Sequence, residues 1–121
     1  MKEKQLQDIT ALYGRLSRDD EVGGESMSIQ SQRAILGQYA KEHGFTNCQF
    51  FMDDGYSGTN FDRPAFTEMM ELVEQRRVRT IIVKDLSRLG RNYLEVGRYT
   101  EVIFPENKVR FIAITDGVDS A

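Results

Sequence analysis

The sequence predicts a three-layer α/β/α domain built on a mainly parallel sheet, and three observations carry that expectation. The first is the stretch Thr80 to Tyr93, TIIVKDLSRLGRNY. Its β-branched run Ile81-Ile82-Val83 loses little by being extended and gains by being covered on both sides, as a central strand is. A basic, hydroxyl-bearing turn with Lys84, Asp85, Ser87, Arg88 and Arg91 follows. Apolar or small residues then recur at Tyr93, Val96, Gly97, Thr100, Ile103 and Phe104, the spacing of one helical face. The second is the alternation β-α-β-α-β-α-β along the whole chain, because repeated βαβ units with right-handed crossovers give a parallel sheet covered on both faces. The third is size: 121 residues, 40% of them hydrophobic, suffice for one compact core and are too few for two.

In chain order, residues 1–7 are polar and charged, a loose end. Ile9 to Leu16, ITALYGRL, is the first strand, with Arg15 and Ser17 at its carboxyl end. Arg18 to Met27, RDDEVGGESM, is charged and carries adjacent glycines, so it reads as a mobile loop. Ser28 is an N-cap for a helix in which Ile29, Gln32/Arg33, Leu36, Tyr39/Ala40 and His43 share a face; His43 caps carbonyls and Gly44 closes the end. Phe45 to Met52 is the second strand, with Phe50 and Phe51 as bulk. Asp53-Asp54-Gly55 and Tyr56-Ser57-Gly58-Thr59-Asn60 form a long turn. Pro64 suits the first position of a helix whose apolar face is Phe66, Met69, Met70 and Val73. After the central strand, a third helix runs to about Phe104 and stops at Pro105; Val109 to Ile114 is the last strand, and DGVDSA ends in a turn.

Composition narrows the function. No apolar run approaches the length of a membrane span, and MKEKQLQD lacks the apolar middle of a secretory signal, so the expectation is a soluble, cytoplasmic protein with no membrane partner. One cysteine, Cys48, and one histidine, His43, give neither an internal disulfide nor a Cys/His metal site. The net charge of −3 and the pI near 5.2 argue, taken alone, against a nucleic-acid partner. The distribution qualifies the average. Arg15, Arg33, Arg63, Arg88 and Arg91 fall at expected loops and helix starts, while Glu68, Glu71, Glu74, Glu95 and Glu101 lie within helices. A basic pocket on an acidic body suits a phosphate.

The unusual residues gather after strands: Arg15 and Ser17 after the first, Asp54 and Ser57 after the second, Arg88 and Arg91 after the third. In open α/β sheets the ligand sits beyond the carboxyl ends of the strands. Arg15 and Ser17 share a face if the strand persists, and Arg88 and Arg91 share a face at a helix start, where an anion would offset cations at the positive end of the dipole. Guanidiniums converging on a hydroxyl are what phosphoryl transfer needs, since planar donors follow charge as it spreads over the equatorial oxygens. Each piece also has a plainer reading. A serine after a strand is usually a turn or cap residue, and Ser87 reads as a helix N-cap. Asp53-Asp54-Gly55 is usually a turn; as a Mg²⁺ pair it lacks further oxygen ligands. Tyr13, Phe66, Tyr93, Met69 and Met70 read as core. A Ser-His-Asp hydrolase is disfavoured, and no nucleotide-binding glycine motif is present.

YGRLS (Tyr13 to Ser17), SIQSQR (Ser28 to Arg33), DDGYSGTNFDRPAF (Asp53 to Phe66) and KDLSRLGRNY (Lys84 to Tyr93) together resemble the catalytic domain of the serine recombinases, the resolvase/invertase family. The match spans nearly the whole chain and is most similar to the large recombinases of phages and conjugative transposons. The resemblance implies a resolvase-like sheet of strand order 2-1-3-4. It implies a site-specific recombinase in which Ser17 attacks a DNA phosphodiester, leaving a 5′-phosphoserine link and a free 3′-hydroxyl. Arg15, Arg88 and Arg91 would bind the scissile phosphate, and Arg63, Gln32 and Asp54 would orient phosphate, arginines or loop. It implies DNA as partner, self-association to dimer and tetramer in the full-length protein, no cofactor, and no metal in the chemical step. Many relatives carry aspartate where this chain has Ser87, and Asp85 is not obviously in register to replace it. The expectation for residues 1–121 is a catalytic domain without the interface helix and DNA-binding region, monomeric and inactive alone. The rivals are a flavodoxin-like or receiver-like binding module of similar sheet order, and a catalytically dead regulatory domain.

Overall fold

Strand β1 (Ile9–Leu16) forms where its sequence predicts and is buried over nearly its whole length. The computed structural model describes residues 8–16, 28–57 and 62–121. The loop expected at 18–27, and the Gly58-Thr59-Asn60 part of the second long turn, lie outside the described residues. β1 pairs in parallel with β2 (Cys48–Asp54) on one side and with β3 (Val78–Val83) on the other; β3 pairs in parallel with β4 (Arg110–Ala113). The order is β2-β1-β3-β4-β5, so the expected 2-1-3-4 core holds and a fifth strand is added.

That fifth strand, β5 (Val118–Asp119), runs antiparallel to β4 and replaces the terminal turn expected from DGVDSA. Long-range bonds make it: Arg110 donates to both carboxylate oxygens of Asp119 at 2.9 and 2.7 Å, and the Ser120 N–H donates to the Phe111 carbonyl at 3.0 Å. A strand of two residues has no periodicity to read.

Alternation along the strands divides the core. Leu12, Ile82 and Ile112 are register partners across the sheet and face helix α1 (Ile29–Glu42) through Leu36 and Ala40. Ala11, Tyr13, Ile81, Val83, Phe111 and Ala113 face the other way, toward α2 (Pro64–Glu74), with Phe66, Met69 and Val73, and toward Phe104. Ile81-Ile82-Val83 is therefore covered on both sides, as its composition demands. Each such aliphatic side chain contributes about 1.5–3 kcal/mol by burial.

The caps of α1 follow the sequence. Ser28 Oγ accepts from Ser31 N, His43 Nδ1 donates to the Tyr39 carbonyl at 2.9 Å, and Gly44 takes φ +75°. The Phe45 N–H then donates back to Ala40 O at 2.9 Å, a closure that uses up the start of the expected second strand. β2 begins three residues later, at Cys48, and runs on past Met52, because Arg15 and Leu16 of β1 pair with Asp53 and Asp54. The aspartates end a strand rather than open a turn.

The third helical segment is interrupted. A short α3 (Leu86–Leu89) ends at an extended Gly90, and α4 (Tyr93–Arg98) continues as a π-helical turn (Tyr99–Ile103) into α5 (Phe104–Glu106). The helix passes through Pro105 instead of stopping there. Proline lacks an N–H and its ring crowds the carbonyl four residues back; the wider π turn directly before it, with Phe104 N bonded to Tyr99 O, relieves that conflict. Tyr93, expected in the core, is 87% exposed, because it opens α4 beyond the break.

Candidate active site

Past the Tyr13–Val83 pair β3 leaves the sheet, and the next main-chain groups of β1 find other partners. Arg15 N donates to Gln32 Oε1 at 3.1 Å, while the Arg15 carbonyl accepts from Gln32 Nε2 at 3.0 Å and from Arg88 Nη1 at 3.2 Å. Gln32 is fully buried on α1 and reaches this point over Gly14. A Cβ there would lie 2.8 Å from Gln32 Oε1 and 2.7 Å from Met52 Sδ, so the approach requires glycine.

The Arg15 side chain returns the contact. Its Nε donates to the Arg88 carbonyl at 3.3 Å, Nη2 to the Ser87 carbonyl at 2.5 Å and Nη1 to the Tyr56 carbonyl at 3.2 Å. Arg63, at the N-cap position of α2, donates to Leu89 O at 2.7 Å, to Arg88 O at 3.4 Å and to the Tyr13 hydroxyl at 3.0 Å. Two guanidiniums thus hold the carbonyl end of α3, where cations are favoured. Arg15, Arg63, Arg88 and Asp53 are the buried charged side chains among the described residues, leaving the buried charge positive.

Asp53 anchors the cluster from below. Its carboxylate accepts from Tyr13 OH at 2.7 Å and from the first free amides of α2, Ala65 N at 2.9 Å and Phe66 N at 3.0 Å. Burial pushes the Tyr13 phenol far above its usual range, against the pull of Arg63, so it stays a neutral hydroxyl bridging Asp53 and Arg63.

Several expected placements need correction. Arg88 and Arg91 do not share a helix face: Arg88 lies in α3 and is buried, whereas Arg91 follows the break at Gly90 and is exposed. The start of α3 is not open to an anion either, since Asp116 Oδ2 takes the Leu86 N–H at 2.6 Å. Ser87 is not the N-cap; Asp85 holds that position, and Ser87 donates its hydroxyl to Asp85 Oδ1. Asp54 is exposed at the end of β2, and its neighbour Asp53 is the buried one, so the two carboxylates point to opposite faces and form no metal pair. Arg33 sits within α1 over the Phe50 ring, 4.1 Å from its centre, away from any loop. Ser17, the candidate nucleophile, follows Leu16 in sequence and lies outside the described residues. Asp53, Gly14, Asp85 and Asp116 escaped the sequence reading as site-building residues. The alternation Phe51-in, Met52-out, carried on to Asp53, was the available signal for the first.

This fold is that of known proteins. The family model for the resolvase N-terminal domain matches residues 10–121. The chain belongs to that family. Among solved structures, the resolvase domain superposes on the N-terminal catalytic domain of TP901-1 integrase with a TM-score of 0.79 and 28% identity, over 93% of this chain and 82% of that one. A resolvase-family site-specific recombinase from Streptococcus pneumoniae gives a TM-score of 0.71 and 27% identity, over 93% and 76% of the two chains. An uncharacterized immunity region protein of Bacillus phage phi105 is 30% identical over 64 residues, 53% of this chain and 77% of its own, a likeness that fits mobile elements. The resolvase domain is thus the catalytic domain of a site-specific serine recombinase, and the flavodoxin-like or receiver-like alternative is not favoured. Domains of this kind bind DNA and oligomerise. No helix among the described residues is long and apolar enough to cross a membrane.

Proposed function

We propose that Ser17 is the nucleophile of this recombinase and that Arg15, Arg88 and Arg91 receive the scissile DNA phosphate. The observation that carries the reading is the cluster of buried arginines at the carboxyl ends of β1 and β3, with Arg15 two residues before Ser17 in sequence. Buried positive charge at that edge of the sheet complements a phosphodiester. In the forward step Ser17 Oγ bonds to phosphorus and the P–O3′ bond breaks, giving a 5′-phosphoserine and a free 3′-hydroxyl. In the reverse step a 3′-hydroxyl from another strand attacks the phosphoserine and releases Ser17. The phosphoester conserves the bond energy, so rejoining needs no nucleotide cofactor. The arginines offset the charge gathering on the phosphoryl oxygens. Gln32 and Arg63 orient Arg15 and the Arg88 turn, and Asp54 is the orienting candidate at the exposed rim. Assembly to dimer and tetramer on the recombination sites belongs to the full-length protein, and residues 1–121 by themselves are monomeric and inactive.

The test incubates the full-length protein with 3′-labelled duplexes drawn from the DNA flanking its own gene and looks for label retained on protein. A Ser17-dependent adduct, lost in Ser17→Ala, severely weakened in Arg88→Ala and kept in Ser87→Ala, is expected. An adduct that survives Ser17→Ala would overturn the assignment and turn attention to Ser57 or Ser87.

A further inference from the structure

An aspartate at a helix N-cap ordinarily accepts a hydrogen bond from the first turn. Asp85 makes no such bond. Asp116, reaching over from the turn between β4 and β5, takes the Leu86 N–H instead. Asp85 is left to face three other groups. Ser87 donates its hydroxyl to Oδ1; Lys84 Nζ lies 3.3 Å and Arg88 Nε 3.7 Å from Oδ2. The Asp85 and Arg88 side chains are only 17% and 6% exposed, so their attraction is screened less than that of a surface pair. Burial works to raise the Asp85 carboxyl, but the Ser87 bond and the charges of Arg88 and Lys84 outweigh it and hold it below its usual range. The carboxylate is charged at neutral pH, and Arg88 is flanked on two sides: its Nε faces Asp85 in ion-pair range, beyond the reach of a direct hydrogen bond, and its Nη1 donates to the Arg15 carbonyl.

We propose that Asp85 is a positioning residue for strand transfer, fixing the Arg88 guanidinium from its Nε side while the Ser87 hydroxyl steadies the carboxylate. The proposal rests on the assignment of Arg88 to the scissile phosphate. It makes a prediction opposite to simple electrostatics. A carboxylate next to a phosphate site repels the phosphate, so a bystander Asp85, once neutralised, would tighten DNA binding and leave cleavage unchanged or faster. A positioning Asp85, once neutralised, leaves binding equal or tighter and slows cleavage.

The experiment compares the full-length protein with Asp85→Asn, Ser87→Ala and the double variant Asp85→Asn/Ser87→Asp on the flanking duplex that yields the Ser17-dependent adduct. Duplex affinity, single-turnover adduct rate and melting temperature are measured, together with the Arg88 Nε–Hε signal in ¹H–¹⁵N spectra. Asp85→Asn should slow adduct formation by about 10- to 100-fold, the scale of a misplaced catalytic group, without weakening binding. Its Arg88 signal should move, and Ser87→Ala should lose less than about threefold. The double variant should regain most of the rate, because residue 87 already reaches the Asp85 carboxylate and an aspartate there puts charge in the same space. Wild-type cleavage by Asp85→Asn would overturn the proposal. So would parallel loss of binding, cleavage and melting temperature without rescue, or an unmoved Arg88 signal. If the wild-type protein forms no Ser17-dependent adduct, the assignment of the nucleophile fails separately, and the Arg88 signal alone decides whether Asp85 holds that side chain.

Discussion

Asp53 and Asp54 are the same residue twice, and the pleat gives them different work. Asp53 is buried and serves Tyr13 and two amides of α2; Asp54 is exposed. Asp53→Ala leaves a buried hydroxyl and two amides without their acceptor and Arg63 without the nearby charge, so chemical denaturation should find a loss of about 3–5 kcal/mol. Asp54→Ala should change stability by no more than about 0.5 kcal/mol. Tyr13→Phe removes only the bridging hydroxyl, and a loss of about 1–2 kcal/mol is expected, with slower adduct formation because Arg63, which holds the Arg88 turn, loses an anchor of its own. Equal costs for Asp53→Ala and Asp54→Ala would contradict this account. The sequence could not tell the two aspartates apart, because the difference is set by β1, about forty residues earlier, through the pairing of Arg15 with Asp53.

Elements were legible where they are long and built of one period. β1, the caps of α1, Pro64 opening α2 and the doubly covered Ile81-Ile82-Val83 all follow from local chemistry. Elements a few residues long were not. LSRLGRNY keeps helical spacing straight through Gly90, so the break that separates Arg88 from Arg91 is invisible in the pattern. β5 exists through its partners, and its weak point is electrostatic. The Arg110 hydrogen bonds, with help from the Ala121 amide, hold the Asp119 carboxyl at about 2, below its ordinary 3.8. A depressed carboxyl contributes stability that is fully present above the ordinary value and is lost as pH falls through the folded one. Hydrogen-exchange protection of the Phe111 and Ser120 amides should therefore decline between about pH 4 and pH 2, and Asp119→Asn should remove that dependence. At the other edge of the same turn, Asp116→Ala should cost α3 about 0.5–2 kcal/mol, the usual worth of a helix cap.

At the scale of the molecule, an acidic body carries a buried basic cluster at one edge of its sheet. The net charge of −3 predicts that residues 1–121 alone bind a duplex weakly at physiological salt, and the proposal that assembly belongs to the full-length protein predicts that they sediment as a monomer. Fluorescence anisotropy and analytical ultracentrifugation check both; tight, salt-resistant binding by residues 1–121 would mean that the duplex grip lies within this domain. The family and reaction class were legible because four motifs kept their order and spacing. The internal wiring of the site was not, since it consists of contacts between segments far apart in the chain. That wiring has a bearing on safety. Arg15 and Arg88 each hold the other's carbonyl, 73 residues apart. A chain still emerging from the ribosome, with its first strand made and its third helix not yet synthesised, therefore has half of each grip and no assembled cluster. A DNA-cutting domain wired in this way has no assembled cluster until that helix has been made and has folded against the first strand.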